Sequence, residues 1–284
     1  MIKFGPSGNS DSFYNAGYKH TTESAQFVRD HGLDLFEYSF GRGVRMTDAT
    51  ARDIKNAFDT AGVEISVHAP YFINFANPEE EKAVNSYNYV IQSLDAMVKM
   101  GGKRCVIHPA TQGKMERRDA VGLMVKRMAH LVEIVEELGY RDIYLCPETM
   151  GKIGQIGTVD EILEVCKLSS VYIPTIDFGH LNARTHGGVC TKDDYKREID
   201  KVYNAIGEDR ASKIHVHFSK IEYSQGGEVK HLTFEDKIYG PDYEPLMSVF
   251  YEYGMSPFIV CESAGTQLED AMAMKSSYMA CLRK

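Results

Sequence analysis

The chain has 284 residues, 40 acidic and 32 basic side chains, ten histidines and a net charge of −8. Its hydrophobic fraction of 43% and charged fraction of 25% exclude disorder, a collagen-like chain and a coiled coil as whole-chain readings. The acidic balance argues against a simple basic-patch nucleic-acid binder, although bound metal ions can supply positive charge to a nucleic-acid enzyme.

The N-terminal MIKFGPSGNSD lacks the charged-then-apolar pattern of a leader. No apolar run reaches the roughly 18 residues a membrane span needs. The six cysteines form no CxxC pair and read as free thiols in a reducing cytoplasm. A cytoplasmic protein with no membrane contact is expected.

In chain order, short β-branched or aromatic runs alternate with helical patterns. A strand at Ile2–Phe4 precedes a helix over Thr22–Asp30, and a strand at Asp34–Tyr38 precedes a helix over Asp48–Ala61. After the strand Val63–Val67, Asn77-Pro78 and three glutamates open a helix whose apolar face carries Tyr87, Ile91, Leu94 and Val98. The strand Arg104–Ile107 leads to a helix with Val121, Val125, Met128, Val132 and Val135 at steps of four and three. Strands at Asp142–Cys146, Tyr172–Ile176, Lys213–His217 and Pro257–Cys261 follow. They are paired with helices over Val159–Lys167, Asp194–Ala205, Tyr243–Tyr253 and Leu268–Leu282. No linker splits the sequence. Eight strand–helix units in an α/β chain of this length predict one closed (β/α)8 TIM barrel over residues 1–284. An open doubly wound sheet would want a glycine-rich phosphate loop after the first strand, which Gly5-Pro6-Ser7-Gly8 matches poorly.

In such a barrel the chemistry collects at the C-terminal ends of the strands. The third and fourth strands end in VHAP and IHPA, with His68 and His108, and the fifth ends in CPET, with Glu148. The sixth gives IDFGH, with Asp177 and His180; the seventh gives IHVHFSK, with His215 and His217; the eighth ends in VCES, with Glu262. Such groups go unpaired or repel one another unless a cation lies between them. A metal cluster is therefore expected. Imidazole with carboxylate suits zinc, manganese or iron, and the oversupply of ligands points to about two or three ions of the kind that clamp a phosphoryl displacement. His217 faces the same side of its strand as His215, which leaves it either a ligand or a support.

These segments resemble the endonuclease IV family of apurinic/apyrimidinic endonucleases, within the xylose-isomerase-like barrels. HAPYFINFAN, VIHPA, ETMGKIGQIG, IDFGH, HVHFSK and CESAG are similar to that family's ligand segments in order and spacing, from His68 to Glu262. The resemblance implies Zn2+, with His68, His108 and Glu148 at a first ion. Glu148, Asp177, His215 and Glu262 would serve a second, and His180 and His231 a third. It implies incision of double-stranded DNA 5′ to abasic or damaged sites, with Glu148 bridging two ions and Glu262 orienting a zinc-activated water. A monomer is implied.

Two departures stand out. Val229 occupies the position of the family's aspartate ligand at the third ion, and neighbouring Glu228 on an extended segment would point elsewhere. His217 and Phe218 replace the family's asparagine and aspartate. Tyr71 and Phe72 stand where the family wedges side chains into the duplex, and Arg42 and Arg45 are candidates for phosphate contact. The chain has no tryptophan, whereas the family's loop after the second strand carries one. A sugar isomerase or epimerase using Glu148 and Glu262 on the same barrel is the competing reading, and a non-catalytic metal-binding protein is a third.

Overall fold

Eight parallel strands alternate with helices in the computed structural model, which describes residues 1–283. We number them β1 (Lys3–Pro6), β2 (Leu35–Ser39), β3 (Glu64–His68), β4 (Arg104–Ile107), β5 (Tyr144–Pro147), β6 (Thr175–Asp177), β7 (His215–Phe218) and β8 (Phe258–Cys261). One ladder runs β2-β3-β4-β5 and the other β1-β8-β7-β6. Backbone hydrogen bonds close the two seams between them. Asp34 N donates to Phe4 O at 3.0 Å and Gly8 N to Glu37 O at 2.9 Å; across the other seam, Ile173 N donates to Leu145 O and Thr149 N to Thr175 O, both at 3.0 Å. The result is an α/β barrel of TIM type. No helix among the described residues is long and apolar enough to cross a membrane.

The strands sit one to three residues later than the apolar runs suggest, except β4, because each run begins before ladder pairing is established. The shift matters: it places His68 and Asp177 as the last residues of β3 and β6. Helix faces are also rotated. In the helix Glu80–Lys99 the buried stripe is Tyr87, Val90, Leu94 and Met97, while Val98 is exposed. That helix starts after Pro78, since Asn77 Oδ1 accepts from Glu79 N at 3.0 Å and holds the Asn-Pro pair in the preceding turn.

Further elements escape the periodicity reading. The hairpin Lys220–Ser224/Gly227–Leu232 follows β7, and the two-residue strands Ala110–Thr111 and Gln155–Ile156 pair antiparallel. Both lie at the C-terminal mouth. At the opposite end Arg104, almost fully buried, lies 3.8 Å over the ring of Phe258 and donates to Ile214 O at 3.2 Å.

Candidate metal centre

Glu148 follows β5 directly. Its backbone is tied to both neighbouring strands, with Glu148 N donating to Ile107 O at 3.0 Å and a bridge to Thr175. The side chain is fully buried. Its two oxygens face opposite ways. Oε2 lies 3.2 Å from His68 Nε2 and 3.0 Å from His108 Nε2; Oε1 lies 3.1 Å from His217 Nδ1 and 3.3 Å from His180 Nδ1.

Asp177 is both the end of β6 and the N-cap of the helix Phe178–Arg184. Its Oδ1 accepts from His180 N at 2.7 Å, which satisfies one orphan donor of the helix. Its Oδ2 is buried with no hydrogen-bond partner and lies 3.2 Å from His180 Nδ1. Glu262, after β8, approaches His217 Nδ1 at 3.4 Å and accepts from Ser7 Oγ at 3.3 Å.

These contacts resolve into groups whose ligand atoms lie within 4.8 Å of one another: His68, His108 and Glu148; Glu148, Asp177, His217 and Glu262; and His180, Glu228 and His231. Clustered histidine and carboxylate side chains of this kind could coordinate divalent metal ions. Two expectations change. His217, not His215, joins Glu148, Asp177 and Glu262. Inward-facing residues two apart differ by about 6.6 Å in height, so only the one nearer the mouth reaches that group. His215 sits a layer lower, its Nε2 3.0 Å from Glu37 Oε2.

The second change concerns Glu228. The hairpin pairs Glu222 with Lys230 but Tyr223 with Glu228, so Val229 is an extra residue, a β-bulge. A bulge resets the alternation of sides, turning Glu228 to the same face as His231. Val229 is exposed. Glu228 Oε2 lies 3.4 Å from His180 Nε2, and its Oε1 3.9 Å from His231 Nε2. The hairpin docks because two glycines let it. A Cβ on Gly151 would stand 2.7 Å from Glu228 Cβ and 2.9 Å from His180 Cδ2. One on Gly227, at φ +87°, would meet Gly151 O at 2.2 Å.

The histidine orientations test whether a cation fits. His68 Nδ1 meets Ala69 O at 2.8 Å and His180 Nδ1 meets Thr149 O at 2.9 Å. A carbonyl only accepts, so each Nδ1 carries the proton. Each Nε2 then turns a lone pair towards a carboxylate oxygen. Two acceptors face to face are repulsive unless a proton or a metal lies between them. The electrostatics agree. Burial alone would raise Glu148, but the charge of His217 and His108 holds it well below the usual carboxylate range. Burial likewise opposes ionisation of Glu262, yet His217 beside it brings it to about 2. Burial pushes Asp177 up to about 6. His180 and His217 rise well above the ordinary histidine value despite burial, because Asp177 and Glu262 respectively stand closest in effect. The pocket draws positive charge to its centre.

The mouth above is a cavity of about 400 Å3, walled in part by Tyr71, Lys152 and Gln155. A cavity of similar volume, about 410 Å3, opens at the other end beside Arg104 and Phe258 but holds none of these ligand groups, so chemistry and not size locates the site. Tyr71 and Phe72 are 54% and 57% exposed on the rim. The Tyr71 ring lies 5.1 Å from that of His68 and 5.2 Å from that of His108. Tyr71 N donates to Gly41 O at 3.3 Å, bringing the loop with Arg42 and Arg45 beside it. Both arginines are exposed. Glu37 went unnoticed in the sequence; its signal is an acid inside the apolar run Leu35-Phe36-Glu37-Tyr38.

Residues 25–279 match the family described as xylose isomerase-like TIM barrel. The chain is similar to an uncharacterized protein of Methanocaldococcus jannaschii, 28% identical over 89% of this chain and 90% of that protein. It is also similar to a probable endonuclease 4 of Mycoplasmopsis synoviae, 33% identical over 59% of this chain and 58% of that protein. Among solved structures, a D-tagatose 3-epimerase-like protein superposes with a TM-score of 0.74 at 21% identity, covering 99% of this chain and 97% of that one. At that identity the likeness is one of fold.

Proposed function

The chain belongs to the xylose isomerase-like TIM barrel family, and we propose that it is a divalent-metal-dependent phosphodiesterase of endonuclease IV type, a single-barrel enzyme incising duplex DNA 5′ to abasic sites. One observation carries this reading. Three ligand groups stand side by side at one mouth, two of them sharing the two-faced carboxylate of Glu148. A phosphodiester presents attacking, leaving and non-bridging oxygens, which several adjacent cations can address together.

His68, His108 and Glu148 would hold one ion, Glu148, Asp177, His217 and Glu262 a second, and His180, Glu228 and His231 a third. The imidazole and carboxylate donors suit Zn2+, with Mn2+ or Fe2+ as alternatives. Such ions supply Lewis-acid activation of water and charge stabilisation on phosphate oxygens. The protein's own groups do the rest. Glu262, held ionised, is an acceptor that orients a water at the mouth. Tyr71 and Phe72 offer an apolar wedge to an unstacked base step. Arg42, Arg45 and Lys152 offer cations to the flanking backbone.

The second reading, a sugar epimerase or isomerase, is favoured by the group Glu148, Asp177, His217 and Glu262, which would suffice for one cation and a pair of proton-transferring glutamates. It leaves His68, His108, His180, His231 and Glu228 without a task, which is why we prefer the phosphodiesterase. Incubation with a duplex carrying one abasic site, before and after metal stripping and with zinc or manganese restored, tests the choice. Metal-dependent incision is expected. No incision alongside turnover of a ketose overturns it.

A further inference from the structure

Beneath the metal groups lies a carboxylate that belongs to none of those three. Glu37 is fully buried on β2 and points into the barrel. Its Oε1 lies 2.9 Å from His217 Nε2, and its Oε2 lies 3.0 Å from His215 Nε2 and accepts from Ser66 Oγ at 2.8 Å. The group Glu37, His215 and His217 thus forms a separate cluster under the site, sharing His217 with it.

The ring of His217 is suspended between two carboxylates, with Glu37 at Nε2 and Glu148 at Nδ1, the latter at 3.1 Å. A neutral imidazole has one N–H and one lone pair. If the lone pair is to face Glu148, Asp177 and Glu262, the proton must sit on Nε2, the nitrogen on the side of Glu37. We infer that Glu37 is a positioning residue: its negative charge, 2.9 Å from His217 Nε2, keeps the proton on that nitrogen and so leaves the Nδ1 lone pair for the ion shared by Glu148, Asp177 and Glu262. Ser66 donates to the other oxygen of Glu37, and His215 Nε2 stands 3.0 Å from that same oxygen; between them they hold the carboxylate in place. This gives His215 a task at a depth where it cannot reach that group itself. Outer carboxylates that fix a ligating imidazole in this way commonly contribute 10- to 100-fold to metal affinity.

The inference rests on the metal reading of the site but not on the choice of substrate, and its test needs no substrate. In the full chain labelled with 15N-histidine and loaded with Zn2+, long-range proton–nitrogen correlation is expected to show His217 protonated at Nε2, with Nδ1 shifted as a ligand. The opposite tautomer overturns the inference. Chelator competition provides a second reading. Glu37→Gln presents one acceptor oxygen and one amide donor to two N–H groups, so it is expected to weaken one ion about 10- to 100-fold while the others bind as in the wild type. Equal affinity for all ions overturns the inference. If Glu37→Gln fails to fold, the wild-type spectrum decides alone. A wild-type chain that binds no divalent ion overturns the metal reading and this inference together, an outcome distinct from equal binding by the two proteins.

Discussion

Glu228 Oε2 lies 3.4 Å from His180 Nε2, although the two residues come from a hairpin after β7 and a helix after β6, and Glu228 stands one position from where the family's ligand is expected. The bulge at Val229 makes the contact. Deleting Val229 restores regular alternation and turns Glu228 to the other face. We expect that deletion, like Glu228→Ala, to remove about one ion per chain by elemental analysis while the barrel's circular dichroism is unchanged. An unchanged metal count in both variants argues against a third ion at this group.

Gly151 is the floor on which Glu228 rests. Gly151→Ala places a Cβ within 3 Å of Glu228 and His180. The neighbours are pinned, so they cannot yield cheaply. Overpacking of this kind costs about 1–3 kcal/mol. Urea unfolding is expected to show a loss in that range, with weaker binding of the ion at His180. A variant as stable as the wild type and equally loaded would contradict the close packing.

Glu148 serves two groups with one carboxylate. Glu148→Ala is expected to abolish activity and to lower the metal count by more than any other single substitution in the site. It removes the carboxylate that lies between His68 and His108 and takes one of the neighbouring carboxylates from His180 and His217. Activity assays and elemental analysis on the same sample check this; near-normal turnover would refute the bridging role.

Glu161 links acid stability to one helix. Its carboxylate receives Arg117 through two nitrogens, at 2.7 and 2.6 Å, and the backbone N–H groups of Gly157 and Thr158, each at 2.9 Å. Burial opposes its ionisation, but Arg117 and these donors hold it below the ordinary glutamate value of 4.5. A depressed folded value means the stabilisation is full above the unfolded value and is lost as pH falls through the folded one. Glu161→Gln is expected to cost about 1 kcal/mol at neutral pH, the scale of a lost helix cap. The difference from the wild type should shrink as pH falls below about 4.5. A pH-independent difference would remove the electrostatic account.

Phe72 is the exposed member of the rim pair. Its ring contacts Tyr89 at 6.0 Å between centroids, and more than half of it faces solvent. Phe72→Ala is expected to leave metal content unchanged and to weaken binding to an abasic duplex by about tenfold or more, since stacking on an aromatic contributes roughly 1–3 kcal/mol per base. Equal loss on intact duplex would argue against a role at the lesion.

The barrel was legible in the amino-acid sequence because alternation of strand and helix is a local property, written in apolar periodicity. So was the collection of His68, His108, Glu148, Asp177 and Glu262 at strand ends, since a polar residue closing an apolar run needs no partner to be seen. Which of His215 and His217 reaches the mouth was not. Both lie on the inward face, and only the height of β7 in the barrel separates them. Glu228 was hidden by a bulge, which depends on pairing with a second strand. Glu37 looked like one acid among 40. The sequence by itself therefore determined the repeating units and the chemical identity of the ligands. Only the tertiary structure decided depth and facing, because closure of the barrel sets the layer at which each side chain meets the others.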